Sequence, residues 1–297
     1  MLPRRHIRIK VFQSLYARSQ QTEDVNFDTT KEFKNSLEGY IEIYYFVIDL
    51  IRVLQEIAIE EINIKKKNLI PSEDDLSPNK RFIQNFIFKK IKEKKETSIK
   101  IEYDKLKSIV KQIFNGIKKS KTYTNYMKKS SVNKEDDKKI IFHILKKYFI
   151  GNEKVHDFIE EYSIYWNDDI LVAYNSLMEK LNNNYQINSL KLFRKKEDKL
   201  FGEKLLKQTI KNEDKISETI YKLANNWDKE RIALSDLILM RMALCELEFI
   251  NDIPQKVTLD EYIEISKEYS TPKSQQFING ILDVFIKDIL QKNDTKS

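Results

Sequence analysis

Glycine is scarce: Gly39, Gly116, Gly151, Gly202 and Gly280 are the only five in 297 residues, each tens of residues from the next. Loops that cradle a phosphate cluster their glycines so that backbone N–H groups can approach the anion. Walker-type and dinucleotide-binding loops are therefore excluded, and with them an NTPase or a Rossmann enzyme. Cysteine is scarcer still. The single Cys245 excludes an internal disulfide framework and a multi-thiolate metal site, and it suits a reducing cytoplasm. The three histidines, His6, His143 and His156, are too scattered to suggest a metal site. No apolar run approaches the ~18 residues of a membrane span, and Arg4-Arg5-His6 lacks the apolar stretch and cleavage site of a signal peptide. The chain is read as soluble and unexported, with no cofactor.

Lysine, glutamate, leucine and isoleucine fill the space instead, which favours long helices over short strands and tight turns. Lys and Arg total 53 against 46 Asp and Glu, a formal charge of +7 that permits binding to nucleic acid without requiring it. Periodicity predicts a first helix over 4–20, with Ile9, Val11, Phe12, Leu15 and Tyr16 on one arc. A second block runs over 33–64 and stops at Lys65-Lys66-Lys67 and the turn-rich segment from Pro71 to Pro78. Weaker helical patterns follow near 80–95, 99–118, 135–149 and 153–184. From about Lys196 the helices become denser: 198–210, 213–226, 228–250, 258–269 and 272–291. Thr258 and Glu261 have the spacing of a capping box, Thr271-Pro272 places a cap before a proline, and Ile253-Pro254 marks a turn.

The first 22 residues carry Arg4, Arg5, Arg8, Lys10 and Arg18 and no acid; Glu23 is the first. Arginines at a helix start oppose its dipole, and a broken local rule of this kind is expected at a functional site. Arginine's planar fork suits phosphate, although an ordinary solvated basic terminus explains the cluster equally well. Gln13 offers a bidentate amide, and Tyr16 a π-face for a single-stranded base or for the core. The segment Ile232–Phe249 is apolar almost all round and should be the central core helix. Arg241 within it needs a carboxylate, with Glu246 or Glu248 as candidates. Cys245 reads as a small core residue, and Trp227 and Arg231 can stack on one face. Gly280, inside the last helix, suggests close packing, or failing that contact with RNA or a partner.

Arg4-Arg5-x-x-Arg8 leading through Gln13 to Leu15-Tyr16 resembles the arginine-rich first helix of the NusB family. The C-terminal part is similar to that family in order and spacing: Trp227-x-x-x-Arg231, Leu239-x-Arg241-x-Ala243-x-x-Glu246-Leu247, Asp252-Ile253-Pro254-x-Lys256-Val257, Asp260-Glu261-x-Ile263-Glu264, Lys267, and Lys273-Ser274-x-x-Phe277-Ile278-Asn279-Gly280. The resemblance covers 1–20 and about 196–291. It implies an all-α fold of two small bundles, enlarged by a helical insertion over 21–195 that shows no chemistry of its own, with 196–297 as the C-terminal helices.

What the resemblance further implies is a non-enzymatic, cytoplasmic antitermination factor. It would bind boxA-type single-stranded RNA with the small-subunit ribosomal protein also known as NusE, act on the RNA polymerase elongation complex indirectly, and promote ribosomal RNA transcription. The RNA contacts it implies are Arg4, Arg5, Arg8, Gln13, Tyr16, Tyr269, Lys273, Ser274, Phe277 and Asn279. Asp236 would meet the partner, and Glu246 would form a core pair. Lys273 stands where family members often carry an acid, and Ser270 replaces a common glycine. An RNA methyltransferase with a NusB-like domain is the enzymatic alternative, but it needs a glycine-rich cofactor domain and catalytic cysteines that this chain lacks. A helical adaptor that has lost RNA binding is the other.

Overall fold

Helical periodicity with few breakers produces helices throughout. The computed structural model describes residues 1–22, 26–67, 72–92, 102–183, 186–187, 189–224, 229–250 and 252–294, and among these there is no strand. No helix of the described residues is long and apolar enough to cross a membrane. In chain order the helices are α1 (Arg4–Ser19), α2 (Thr29–Lys66), α3 (Glu73–Leu76), α4 (Phe86–Lys92), α5 (Tyr103–Lys118), α6 (Lys121–Lys128), α7 (Lys134–Ile144), α8 (Glu153–Glu160), α9 (Trp166–Asn182), α10 (Lys196–Lys211), α11 (Glu213–Leu223), α12 (Leu234–Phe249), α13 (Gln255–Tyr269) and α14 (Pro272–Asp294). The chain divides into two compact units, one of Met1–Leu37 with Lys191–Ser297 and the other Glu38–Leu190.

In the first unit α12 is the central helix. Its residues from Asp236 to Leu247 are buried except Arg241, and it packs on α1, α10, α11, α13 and α14. A helix apolar on every side has no solvent face to offer, so its neighbours must surround it. Helix α1 packs on α10 at Gly202, where an added Cβ would lie 2.7 Å from Ile7 Cγ2 and 2.8 Å from Phe33 Cζ. That glycine sets how closely the two helices approach. Gly280 does the opposite: nothing lies within 4 Å of its would-be Cβ, so close packing is not its reason.

The second unit is built on the α2 stretch from Tyr40 to Ile57, whose Phe46 stacks against Phe158 at 5.9 Å and packs against Trp166 at 5.5 Å. Buried hydroxyls there find partners: Tyr40 OH meets Ser176 Oγ at 2.8 Å, and Tyr44 OH donates to the Ile187 carbonyl at 2.9 Å. A second aromatic cluster joins Phe82, Phe88, Phe114 and Tyr123.

Several boundaries differ from the sequence reading. The 153–184 block breaks into α8 and α9, and 135–149 ends in a π-helical turn, Leu145–Ile150. Helix α6 lies between the 99–118 and 135–149 patterns, where no helix was expected. Helix α13 starts at Gln255, after Pro254, so Thr258 is already inside it and caps nothing; its buried hydroxyl turns instead to Glu246. Helix α12 starts at Leu234, after a 3-10 turn at Lys229–Arg231. Trp227, and the stacking expected of it, lies outside the described residues. The Thr271-Pro272 start held, with Thr271 Oγ1 accepting from the Ser274 N–H at 3.2 Å.

Candidate nucleic-acid interface

Helices α1 and α13 lie side by side and run parallel. Arg5, in the first turn of α1, grips Glu261 in the middle of α13 through two 2.9 Å hydrogen bonds, and further along both helices the Phe12 and Tyr269 rings sit 4.9 Å apart, so the contacts advance in the same direction along both. Their N-terminal ends therefore point the same way and border one groove. There Pro3, Arg4 and Arg5 face Asp252, Pro254 and Val257 across a groove of about 470 Å³. Both helix dipoles present their positive ends to it. The Arg4 and Arg5 side chains are 38% and 43% exposed. Arg4 Nε holds Asp198 at 2.8 Å, and its guanidinium lies 5.3 Å from the Phe201 ring centroid. The hydrogen bond to Glu261 raises the Arg5 pKa above its already high ordinary value.

Arg8, expected to contact RNA, is instead 1% exposed. Its Nε and Nη2 donate to Glu246 Oε2 and Oε1 at 2.8 and 2.5 Å, and Glu246 is wholly buried. Thr258 Oγ1 at 2.9 Å and Tyr262 OH at 3.0 Å donate to the same carboxylate. Phe201 flanks the guanidinium at 4.9 Å and Tyr262 at 5.8 Å. Burial opposes the Arg8 charge most, yet the bonds and field of Glu246 outweigh it and the pKa is raised. Tyr262 rises well above its usual value, through burial first and then the neighbouring carboxylate. This is a saturated ion pair tying α1, α12 and α13 together, and its arginine has no surface to give to phosphate. Lys10 is buried as well.

Because Glu246 serves Arg8, it does not meet Arg241. That arginine donates to Glu213 at 2.7 Å and Ser217 at 2.8 Å, and Arg18 reaches the same Glu213 at 2.6 Å. Glu248 pairs with Lys215 at 2.6 Å. The core pairing expected of Glu246 is present with a different arginine.

At the far end of α1, Tyr16 is 40% exposed beside Phe12, their rings 6.1 Å apart, and Tyr269 covers Phe12 from α13. Gln13 is half-buried. On α14, exposed Lys273 and half-buried Phe277 share a second groove, of about 530 Å³, with Gln276, Gly280, Val284 and Leu223. Ser274 belongs to the cap of α14 and meets Thr271 Oγ1 at 3.0 Å. Asn279 is not brought into this groove. It lies about 200° around the helix from Phe277, and its amide donates to Asp283 at 3.3 Å. Asp236, expected to meet a partner, is 3% exposed and accepts from the Ser270 hydroxyl. The structure thus gathers most of the expected RNA contacts into an arginine end, a tyrosine end and the start of α14, and leaves out Arg8 and Asn279. Of the carboxylates that hold these arginines, Asp198 and Glu261 were not read as partners, and Glu246 was assigned to Arg241 instead of Arg8. The one sequence signal for them was the presence of acids on helices otherwise given to the core.

A model of the NusB family matches residues 157–287. A transcription antitermination protein NusB from Thermodesulfovibrio yellowstonii is 33% identical over 143 residues, which are 48% of this chain and 93% of that protein. The chain belongs to the NusB family. The NusB proteins of Salinibacter ruber and Chloroherpeton thalassium are 45% and 43% identical over 89 residues, 30% of this chain in each case. The match spans 56% and 42% of those two relatives, so about half their length is covered. No solved structure matches significantly. The helical architecture, without a strand among the described residues, is that of NusB, and the matched span takes in the whole of α10–α13.

Proposed function

We propose that the chain is a non-enzymatic, RNA-binding transcription antitermination factor. It acts in the cytoplasm, where it binds boxA-type single-stranded RNA together with the ribosomal protein also known as NusE and favours ribosomal RNA transcription. Relatives that bear the name transcription antitermination protein support the role. The observation that carries the RNA reading is the α1–α13 pair, with exposed arginines where two helix N-termini border one groove and aromatic rings at the other end. Arginines at one end anchor a phosphate, and rings at the other stack bases.

In this reading Arg4, Arg5, Tyr16 and Tyr269 touch RNA, with Gln13 bracing Tyr16. Lys273, Ser274 and Phe277 extend the surface onto α14, and the side chain of Asn279 faces elsewhere. Arg8 acts as an anchor that fixes α1 against α12 and α13. Asp236 supports a partner surface only through the Ser270 turn it holds. A helical insertion within 21–195 completes the reading. The family match begins at residue 157, inside α8, which favours an insertion ending near there rather than at 195.

One observation favours the adaptor reading: Arg4, Arg5 and Arg8 all hold carboxylates already. A titration with boxA-type and scrambled RNA at several salt concentrations, with and without the ribosomal protein, separates the two. RNA binding predicts a boxA preference at fixed salt, an affinity that falls as salt rises, and loss of both in Arg4→Glu/Arg5→Glu. Equal affinity for both RNAs throughout leaves the adaptor.

A further inference from the structure

Between Lys118 and Lys147 ten lysines stand against three acids, a formal +7 that equals the net charge of the whole chain. The remaining sequence is neutral overall, so the excess positive charge is local to this stretch. Its middle folds as α6 and α7, joined through a turn at which Lys129 pairs with Asp136 at 2.5 Å, while Lys118 at its start pairs with Glu61 at 2.7 Å. Lys121, Thr122 and Asn125 from α6 and Lys139 and His143 from α7 line a groove of about 420 Å³ between the two helices.

The floor of that groove is a closed hydrogen-bond network. Tyr126 OH donates to Asp137 Oδ1 at 2.6 Å, the Phe86 N–H to Asp137 Oδ2 at 2.9 Å, and Asn85 Nδ2 to the Asp137 carbonyl at 3.0 Å. Asp137 is thereby satisfied inside the fold. Asp136 faces the groove but is held by Lys129, and Glu135 lies 3.9 Å from Lys138. Lys121 and Lys139 are exposed and, among the described residues, form no ion pair, whereas the His143 Nε2 atom is buried and offers the groove no donor. This is the reverse of the α1 end, where each arginine already holds a carboxylate.

The walls also indicate the kind of partner. Protein interfaces anchor on a desolvated aromatic or aliphatic side chain. Here the apolar lining residues, Ile140 and the Tyr126 ring, are already buried in the second unit. What the groove presents is unpaired ammonium groups beside the hydroxyl of Thr122 and the amide of Asn125, which suits a chain of phosphates. We propose that the α6–α7 groove is a second RNA surface, contacting the backbone of single-stranded RNA without regard to sequence and engaging transcript beyond the boxA element. The proposal rests on the RNA-binding reading above, but its residues are separate from those of α1, α13 and α14.

The test uses the full chain, fluorescence anisotropy, and two RNAs: a boxA-type element alone and the same element extended by oligouridine. Lys121→Ala/Lys139→Ala is expected to bind the short RNA as the parent does and the extended RNA three- to tenfold more weakly. Its salt slope on the extended RNA should be shallower by about 1.4, since each single-strand phosphate contact contributes roughly 0.7. Lys121→Arg/Lys139→Arg should restore affinity, and far-UV circular dichroism should match the parent because both lysines lie on the surface. Unchanged affinity and slope on the extended RNA overturn the proposal, as does loss of polyglutamate binding with RNA binding intact, which would make the groove a protein site. If Arg4→Glu/Arg5→Glu leaves the boxA preference untouched, the reading of α1 fails. The extended-RNA comparison still decides the groove.

Discussion

Replacing Arg8 by Met keeps the length of the side chain and removes its charge. The Glu246 carboxylate is then left wholly buried, with only the Thr258 and Tyr262 hydroxyls to stabilise it. Breaking a buried pair by removing one partner costs about 3–5 kcal/mol, chiefly because the other charge stays desolvated. For a cooperative unit of about 150 residues, with Tm falling 2–4 °C per kcal/mol, that corresponds to a drop of roughly 6–20 °C. Glu246→Gln should cost a similar amount, since Arg8 keeps only Glu261, 3.7 Å from Nη1. The decisive measurement is the double-mutant cycle in urea, followed by circular dichroism. Arg8→Met/Glu246→Gln should be less destabilised than the sum of the singles by more than ~2 kcal/mol, because neither charge is stranded. Single costs below about 1 kcal/mol, or additivity within ~0.5 kcal/mol, would show that the pair is not the clamp its geometry describes.

Three other expectations follow from local packing and burial. Gly202→Ala must push Ile7 or Phe33 aside and should destabilise by about 1–3 kcal/mol, whereas Gly280→Ala meets open space and should stabilise α14 by about 0.5–1 kcal/mol; equal shifts of the urea midpoint would contradict both. Burial pushes the Cys245 thiol up to about 12 and the Tyr262 hydroxyl well above its usual value. With folded-state values raised, the stability these groups contribute is complete below about pH 9 and is lost as pH climbs toward 12. A midpoint that stays flat from pH 8 to 11 would refute this. The same burial should make Cys245 react with a thiol reagent only as fast as the first unit opens, so rapid labelling of the native protein would show the thiol to be accessible.

Where helical pattern and local chemistry agree, the fold was readable from the residues alone. The all-round apolarity of α12 placed it at the centre, and Thr271-Pro272 marked the start of α14. Thr258 misled because its spacing to Glu261 is that of a capping box. The proline-bounded turn had already started the helix one turn earlier, which freed both side chains for tertiary partners. Long-range pairing is the part that periodicity does not carry. Arg8 and Glu246 lie 238 residues apart, and nothing local told Arg241 that Glu246 was taken while Glu213 stood across from it.

The crowding of arginine at the start of α1 therefore has two explanations that coexist on one helix. A rule broken at a helix N-terminus invited a functional account, and for Arg4 and Arg5, half-exposed over a groove between two positive helix ends, that account stands as the proposal. For Arg8 the cause is internal. A helix with no acid in its first turn is held in place by carboxylates on α10, α12 and α13, and the most buried of these pairs fixes the parallel alignment with α13. That alignment puts Arg5 beside Glu261 and Tyr16 near Tyr269, so the RNA surface proposed here depends on the arginine that does not touch RNA. An Arg8 variant that folded but let α1 shift should lose boxA preference while keeping its salt-dependent, nonspecific affinity. Loss of both together would instead make Arg8 a direct phosphate contact.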